Sequence, residues 1–370
     1  MAESDGPAPG LGEFELIERY FARPAAHPRP EVGAAPAGAR PGRGPAPAGA
    51  RPELVAAPAA ASADPAAIAA GVALGIGDDA ALLNVPQRTE LVVSVDTLVC
   101  GRHFPADTDP RSIGHRALAV NLSDMAAMGA KPAWATLALT MPGAESSWLE
   151  RFSNGFLALA AAHGVALVGG DTTRGPLSVT VQIMGHVPRG TALLRSGARA
   201  GDLIAVTGTL GDAGAGLAIR SGRLSPPPAA RAELIRRFDY PEPRVAFGLA
   251  ARGIATAAMD VSDGLAGDLP KLAAASAVAA RVDLERLPLS AALRASVDAE
   301  RALQWALAAG DDYEILLAVP AARFAELEAH AVRLNLMLTS IGQFAAGSAV
   351  TWLQHGSGVD IEPAGFDHFA

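Results

Sequence analysis

Leu91-Val92-Val93-Ser94-Val95-Asp96-Thr97 and, after a short gap, Ser112 to Met128 are the stretches that decide the fold. The first is dense in β-branched residues and predicts a strand over Leu91 to Val95, ending at Asp96. The second follows Asp109-Pro110, a helix-start signal, and predicts a helix. Working outward, Trp134 to Met141 reads as a strand closed by Pro142, and Ser146 to Ala162 as a helix stopped by Gly164. Val165 to Val168 is a short strand running into Gly169-Gly170-Asp171-Thr172-Thr173, and Ser178 to Val187 is a further strand. Pro188-Arg189-Gly190 then punctuates the chain, so residues 71–190 read as an N-terminal α/β domain and 191–370 as a second one. The second half repeats the style. Strands are expected at Leu203 to Val206, Ala257 to Met259, Tyr313 to Val319 and Leu338 to Phe344. Helices are expected up to Ser276, over Ala302 to Ala309 and over Phe324 to Leu334. Strands alternating with helices predict α/β layers in both halves.

Before Gly71 the pattern changes. Over residues 22–70 about 35 of the 49 residues are Ala, Pro or Gly and none is aromatic. Such a composition cannot bury enough apolar surface to offset chain entropy, so the segment reads as a flexible insertion. It separates residues 1–21 from the body. Their Leu11 to Phe21 has helical apolar spacing, which predicts a helix that docks back on the core.

The 370 residues are 50% apolar, 18% charged and 5% aromatic, with a formal net charge of −8. That length suits two domains, and the sign of the charge argues against a nucleic-acid partner. Only two lysines occur, Lys131 and Lys271, and neither lies in a GxxxxGK[ST] loop. The single cysteine, Cys100, leaves no internal disulfide framework or Cys-rich zinc site. The acidic Met1-Ala2-Glu3-Ser4-Asp5 is unlike a signal peptide, and no 18-residue run is apolar enough to span a bilayer. A cytoplasmic setting without membrane contact is expected.

Six clusters place aspartates at expected strand ends or in glycine turns: Gly77-Asp78-Asp79, Ser94-Val95-Asp96-Thr97, Asn121-Leu122-Ser123-Asp124, Gly170-Asp171-Thr172-Thr173, Asp260-Val261-Ser262-Asp263-Gly264 and Gly310-Asp311-Asp312-Tyr313-Glu314. Any one of them alone reads as a turn or a helix cap. Six together read as a ligand site, because ligands of α/β folds gather at strand ends. Converging carboxylates also need cations between them: two such charges 4 Å apart repel by roughly 4 kcal/mol at an effective dielectric of about 20. Asp124 sharpens the point. Its helix is apolar on both faces, with Ile113, Ala117 and Val120 on one and Leu118, Leu122 and Met125 on the other, so a charge there needs a partner. That partner is a metal ion or, equally well on spacing alone, an arginine or a cap. Oxygen donors without clustered Cys or His select hard cations such as Mg²⁺, which usually shares its shell with substrate phosphates. The glycine run Gly208 to Gly216 reads mainly as a tight turn, since it does not spell GxGxxG and Asp212 would face an anion. From spacing alone His103 and Cys100 read as structural.

Taken in order, these segments resemble the thiamine-monophosphate kinase family. The resemblance is carried by Gly75-Ile76-Gly77-Asp78-Asp79-Ala80, Asp96-Thr97-Leu98-Val99 with His103-Phe104, and Ala119 through Ala130. Gly169 through Gly175, Asp260 through Leu265 and Gly365-Phe366-Asp367-His368-Phe369 complete it. It implies the two-domain α/β fold of aminoimidazole ribonucleotide synthetase (the PurM-like fold) and a homodimer in which N-terminal sheets of two subunits form a barrel. It also implies direct transfer of the ATP γ-phosphoryl group to thiamine monophosphate, with several Mg²⁺ ions and often K⁺. Mapped residue by residue, the implied Mg²⁺ ligands are Asp79, Ser94, Asp96, Asp124, Asp171, Asp260 and Asp263. Gly170, Asp171, Arg195 and Ser262 would hold ATP; His103, Asp311 and Phe366 would contact thiamine monophosphate. Two departures stand out: Val95 where the family usually has Thr, and Asp311 where it usually has Glu.

Rival readings are another ATP-using enzyme of the superfamily (an aminoimidazole ribonucleotide, formylglycinamidine or selenophosphate synthetase) and a non-catalytic Mg²⁺- or nucleotide-binding protein. The selenophosphate enzyme would carry an N-terminal Cys or selenocysteine, which this chain lacks. The composition of the insertion generates a test: deleting residues 25–66 should leave activity within a few-fold of the parent in steady-state assays. An inactive or insoluble product would overturn the reading of that segment as passive.

Overall fold

The structure is a computed structural model and describes residues 17–21 and 71–361. Two short strands, β1 (Val72–Leu74) and β2 (Leu82–Leu83), pair before the first sheet begins. That sheet contains β3 (Thr89–Val99), β4 (Lys131–Met141), β5 (Ala166–Arg174) and β6 (Ser178–Pro188) in the order β3-β6-β4-β5. β3 pairs antiparallel with β6 from Thr89↔Pro188 to Val99↔Ser178, while β4 and β5 run parallel. A parallel pair needs a crossover, which α2 (Ser146–His163) supplies. The helix ahead of β4 is α1 (Pro110–Ala127), started by Pro110 and capped by the Asp109 carboxylate, which accepts the Arg111 N–H at 2.9 Å.

The helices α1 and α2 cross at van der Waals distance because both are thinned by glycine. A Cβ on Gly155 would lie 1.9 Å from the Arg111 carbonyl oxygen. Fourteen of the 18 residues of α1 are buried. An all-round apolar helix is one that is covered on all sides, and here a single core joins Leu118, Leu122 and Met125 of α1 to Val181 and Ile183 of the first sheet and to Ala205, Ala258 and Ile315 of the second.

The second sheet takes β7 (Leu203–Thr207), β8 (Ala257–Val261), β9 (Ala279–Asp283), β10 (Glu314–Val319), β11 (Leu338–Ala345), β12 (Val350–Gln354) and β13 (Ser357–Val359) in the order β13-β12-β9-β11-β7-β10-β8. All its pairings are antiparallel except β12 with β9. Helices α3 (Asp212–Arg220), α4 (Pro228–Asp239), α5 (Val245–Ala251), α6 (Leu265–Ser276), α7 (Ala291–Arg294), α8 (Ala299–Ala308) and α9 (Phe324–Arg333) complete this half.

Three expectations change. The strand at Leu91 does not stop at Asp96 but continues to Val99, and a Thr97–Thr180 hydroxyl contact of 2.8 Å across to β6 supports the extension. Gly170, Asp171 and Asp260 likewise lie inside strands, not beyond their ends. Both sheets are largely antiparallel, so the aspartates are not collected along one strand-end edge. They are brought together by alternation, which turns every second side chain of a strand inward, and by the packing of α1. The helices α4 and α5 and the strands β9, β12 and β13 lack a strong apolar rhythm in the sequence and were not anticipated there.

Residues 17–21 form one π-helical turn whose Tyr20 and Phe21 are buried; Phe21 meets Phe152 of α2 edge-on, with ring centroids 6.4 Å apart. The rest of the expected N-terminal helix, the insertion at 22–70 and Phe366 lie outside the described residues.

Candidate functional site

Alternation on β3 turns Ser94 and Asp96 inward toward α1 and leaves Leu91, Val93, Val95 and Val99 exposed on the other face. The Ser94 hydroxyl donates to Asp124 Oδ2 at 2.5 Å. One residue earlier on α1, the Ser123 hydroxyl donates to Asp260 Oδ2 of β8 at 2.7 Å. Asp96, Asp124 and Asp260 thus meet at the seam between the two halves. Burial pushes the Asp96 carboxyl up to about 7, helped by the Asp124 charge and a hydrogen bond between the two. Burial also raises Asp260 to about 7, helped by the like charge of Asp124 and against the pull of the Ser123 hydrogen bond. Asp124 rises through burial as well, against the pull of Ser94 and the Arg195 guanidinium. Burial thus disfavours charge on all three carboxyls of the seam.

A second group lines a cavity of about 470 Å³. Asp78, Asp79, Gly170 and Asp171 are among its polar walls, and Phe21, Leu137 and Leu167 among its apolar ones. Asp79 and Asp171 are exposed, and Asp171 accepts a 3.1 Å hydrogen bond from Thr173 Oγ1. Only glycine fits at 170: φ is 154° and a Cβ would sit 1.8 Å from the Leu137 carbonyl oxygen, so backbone alone lines the cavity there.

The turn after β8 is shaped by Asp268, a buried side chain the sequence reading did not single out. Its Oδ2 accepts the N–H groups of Ser262 and Asp263, both at 2.9 Å. Lys271 bridges Asp268 Oδ1 at 2.9 Å and Asp263 Oδ2 at 2.5 Å. Asp263 is therefore already held by an ammonium group. The signal was present as the i,i+3 spacing of Asp268 and Lys271 on α6. Arg195 is exposed, with its charge acting on Asp124. The His103 ring accepts the Val99 N–H through Nδ1 at 2.9 Å at the end of β3.

Asp311 is not free either. Arg116 of α1, 2% exposed, pairs with its Oδ1 at 2.7 Å, while Arg116 Nη1 donates to the Phe238 carbonyl and the guanidinium lies 4.3 Å from the centre of the Phe238 ring. Tyr313 OH donates to the same Asp311 oxygen at 3.1 Å. The loop is strained, with positive φ at Asp311 and Tyr313. It is tied to the preceding turn by Asp311 N–H to the Ser262 carbonyl. The helix N-terminus in the glycine run Gly208 to Gly216 receives a carboxylate from within the chain: Asp312 accepts the Gly211 N–H at 2.6 Å and the Ala213 N–H at 3.2 Å.

Among the described residues, no three His, Cys, Asp or Glu side chains converge closely enough to make a complete metal site. The donor chemistry still suits Mg²⁺, which takes one or two carboxylates and completes its shell with substrate oxygens and water. The seam and the cavity each present such an open set of oxygens.

The two halves, each with its own sheet, correspond to the two domains of the AIR synthase related proteins. The N-terminal domain of that family matches residues 77–187 and its C-terminal domain residues 199–352. Thiamine-monophosphate kinase of Escherichia coli K12 is 50% identical over 301 residues, covering 81% of this chain and 93% of the relative. The crystal structure of thiamine-monophosphate kinase from Stenotrophomonas maltophilia K279a matches with a TM-score of 0.74 at 49% identity, covering 78% of this chain and 92% of that one. AaThiL complexed with AMPPCP and TMP matches with a TM-score of 0.68 at 32% identity, covering 80% and 92%. The chain belongs to the thiamine-monophosphate kinase family.

The Arg116–Asp311 pair generates a test. Asp311→Ala strands a buried guanidinium, so stability should fall by about 3–5 kcal/mol in urea unfolding. If Asp311 also contacts the acceptor, the KM for thiamine monophosphate should rise roughly 10- to 150-fold with that for ATP unchanged. Unfolding energies and acceptor KM both at wild-type values would remove Asp311 from either role.

Proposed function

We propose that this chain transfers the γ-phosphoryl group of ATP directly to the phosphate of thiamine monophosphate, giving thiamine diphosphate and ADP, in the cytoplasm where ATP is supplied. The observation that carries the reading is the meeting of Asp96, Asp124 and Asp260 at one buried seam in a chain 50% identical to a thiamine-monophosphate kinase. The AMPPCP and TMP bound to a 32% identical relative name the donor and acceptor classes.

The chemistry asks little of a general base. An acceptor phosphate oxygen is already a nucleophile at neutral pH; it bonds to the γ-phosphorus while the bond from that phosphorus to the β–γ bridging oxygen breaks and ADP leaves. Catalysis then rests on positioning two anions against their repulsion. Mg²⁺, with K⁺ as a monovalent helper, would supply the charge neutralisation. Asp79, Ser94, Asp96, Asp124, Asp171, Asp260 and Asp263 are the residues that would hold the divalent ions. Asp263 can do so only by releasing Lys271. The bare backbone at Gly170, together with Asp171, Arg195 and Ser262, would orient the nucleotide phosphates. His103, Asp311 and Phe366 would orient the acceptor.

A homodimer belongs to the same proposal. The outward face of β3, an edge strand, exposes Leu91 (48%), Val93 (49%), Val95 (60%) and Val99 (38%) in one apolar stripe. A stripe of this kind on an open sheet edge calls for cover, and a second copy of the same strand supplies it.

Two measurements test these readings. In a coupled assay with ATP and thiamine monophosphate, wild type should turn over and Asp124→Asn should fold but lose at least about 100-fold in kcat, together with the Mg²⁺-induced rise in Tm. Near-wild-type turnover of the variant at saturating Mg²⁺ would overturn the assignment. In light scattering, wild type should have the mass of two chains and Val95→Arg the mass of one, since a charge in a covered apolar interface costs several kcal/mol. A monomeric wild type would sink the dimer.

A further inference from the structure

We propose that Arg116 is a positioning residue for the acceptor: from inside α1 it aims the Asp311 carboxylate at thiamine monophosphate without touching the substrate itself. The inference rests on the reading of Asp311 as an acceptor contact given above. α1 already holds one carboxylate of the seam, through the Ser123 hydroxyl on Asp260. Arg116 stands seven residues before Ser123 on the same helix. Seven residues are close to two turns, about 10 Å along the axis, so both side chains leave α1 on one face. Ser123 fixes Asp260 and Arg116 fixes the loop that carries Asp311. One rigid helix thus sets the span between the seam and the acceptor contact.

Three features show the aiming. The first is the backbone. Asp311 has φ 63° and Tyr313 φ 51°, a left-handed conformation that non-glycine residues keep only where their surroundings enforce it. Here the Asp311 N–H donates to the Ser262 carbonyl and the Tyr313 N–H to the Val261 carbonyl, both at 2.9 Å. The second is the division of the carboxylate. Among the described residues, both side-chain contacts of Asp311 fall on Oδ1: Arg116 Nη2 at 2.7 Å and Tyr313 OH at 3.1 Å. Oδ2 is left to receive a hydrogen-bond donor of the acceptor. The Asp311 side chain is 29% exposed and that of Arg116 2%, so a substrate reaches the first and not the second. The third is the anchoring of the guanidinium. Its Nη1 donates to the Phe238 carbonyl and its plane lies 4.3 Å from the centre of the Phe238 ring. Nε and Nη2 have no aligned hydrogen-bond acceptor among the described residues, so charge, not a fork of hydrogen bonds, draws Asp311 in.

The experiment uses the full chain with Mg²⁺ and compares wild type with Arg116→Met, Arg116→Lys, Asp311→Asn and the double variant Arg116→Met/Asp311→Asn. The readouts are KM for each substrate, the Kd for thiamine monophosphate by titration calorimetry, and Tm. Met fills the place of the arginine stem without its charge and leaves Asp311 partly in water, which keeps the variant folded. Arg116→Met should raise the acceptor KM and Kd roughly 5- to 50-fold, with the KM for ATP within about two-fold of wild type. Arg116→Lys restores the charge and should recover most of that loss, which a purely structural arginine would not require. In the double variant the acceptor Kd should equal that of Asp311→Asn alone, because Arg116 then has nothing to aim. If Arg116→Met does not fold, Arg116→Gln takes its place. An acceptor Kd within about two-fold of wild type in Arg116→Met, beside a weakened Asp311→Asn, overturns the proposal alone. Losses that multiply in the double variant also overturn it, as does a KM for ATP that rises in step with that for the acceptor. An acceptor Kd unchanged in Asp311→Asn overturns the acceptor reading of Asp311 and the proposal with it.

Discussion

Ser123 and Asp124 are neighbours on one helix, yet their side chains reach different sheets. Ser123 donates to Asp260 of the second sheet, and Asp124 accepts from Ser94 of the first. Everything else about the site depends on this. A helix turns about 100° per residue, so adjacent positions can face opposite partners only if the helix lies between them. The apolar face on each side of α1 meets that requirement, and the common core running from Val181 and Ile183 to Ala258 and Ile315 fixes the helix in place. The two hydrogen bonds then set the register between halves, and carboxylates of β3, α1 and β8 line the seam on either side of the helix.

The fold class was legible because its signals are local and strong. Asp109-Pro110 starts α1, Gly164 ends α2 in the left-handed conformation, and the β-branched run at Leu91 forms β3. The site was legible in composition but not in geometry. Asp124 stands out in sequence because it sits in an apolar helix. That Ser123 beside it holds Asp260 does not, since a serine in a helix usually bonds its own backbone. The antiparallel pairing was invisible for a related reason. Strand order is decided by contacts far apart in sequence, such as Leu316 of β10 opposite both Val206 and Met259, and no local pattern encodes them. Arg116 escaped notice because its partner Asp311 lies on β10's approach loop, nearly two hundred positions away.

The chain does not handle its buried acids alike, and the difference bears on the chemistry. Outside the seam, several carboxylates are matched by cations of the protein, while Asp312 is held by backbone N–H groups and burial pushes its carboxyl up to about 8. Glu314, fully buried, accepts from Arg237 at 2.8 Å and from Arg244 Nη2 at 2.6 Å, and its carboxyl stays below the usual range even though burial alone would raise it. Asp311 has Arg116, and Asp263 and Asp268 share Lys271. Such pairs are costly to break, because each partner left alone is a buried or half-buried charge.

At the seam the arrangement differs. Asp124 and Asp260 have hydroxyl donors, Asp96 shares a hydrogen bond with Asp124, the Arg195 charge acts on Asp124, and burial raises all three carboxyls. An incoming cation meets different resistance at the two kinds of place. At Asp263 it must displace an ammonium held at 2.5 Å; at the seam it competes with the hydroxyl hydrogen bonds of Ser94 and Ser123. A fixed ammonium would not serve at the seam. A fixed ammonium among the seam carboxylates would pair with them permanently, as Lys271 pairs with Asp263, and would occupy the oxygens that two converging phosphates need to have neutralised by something able to arrive with them.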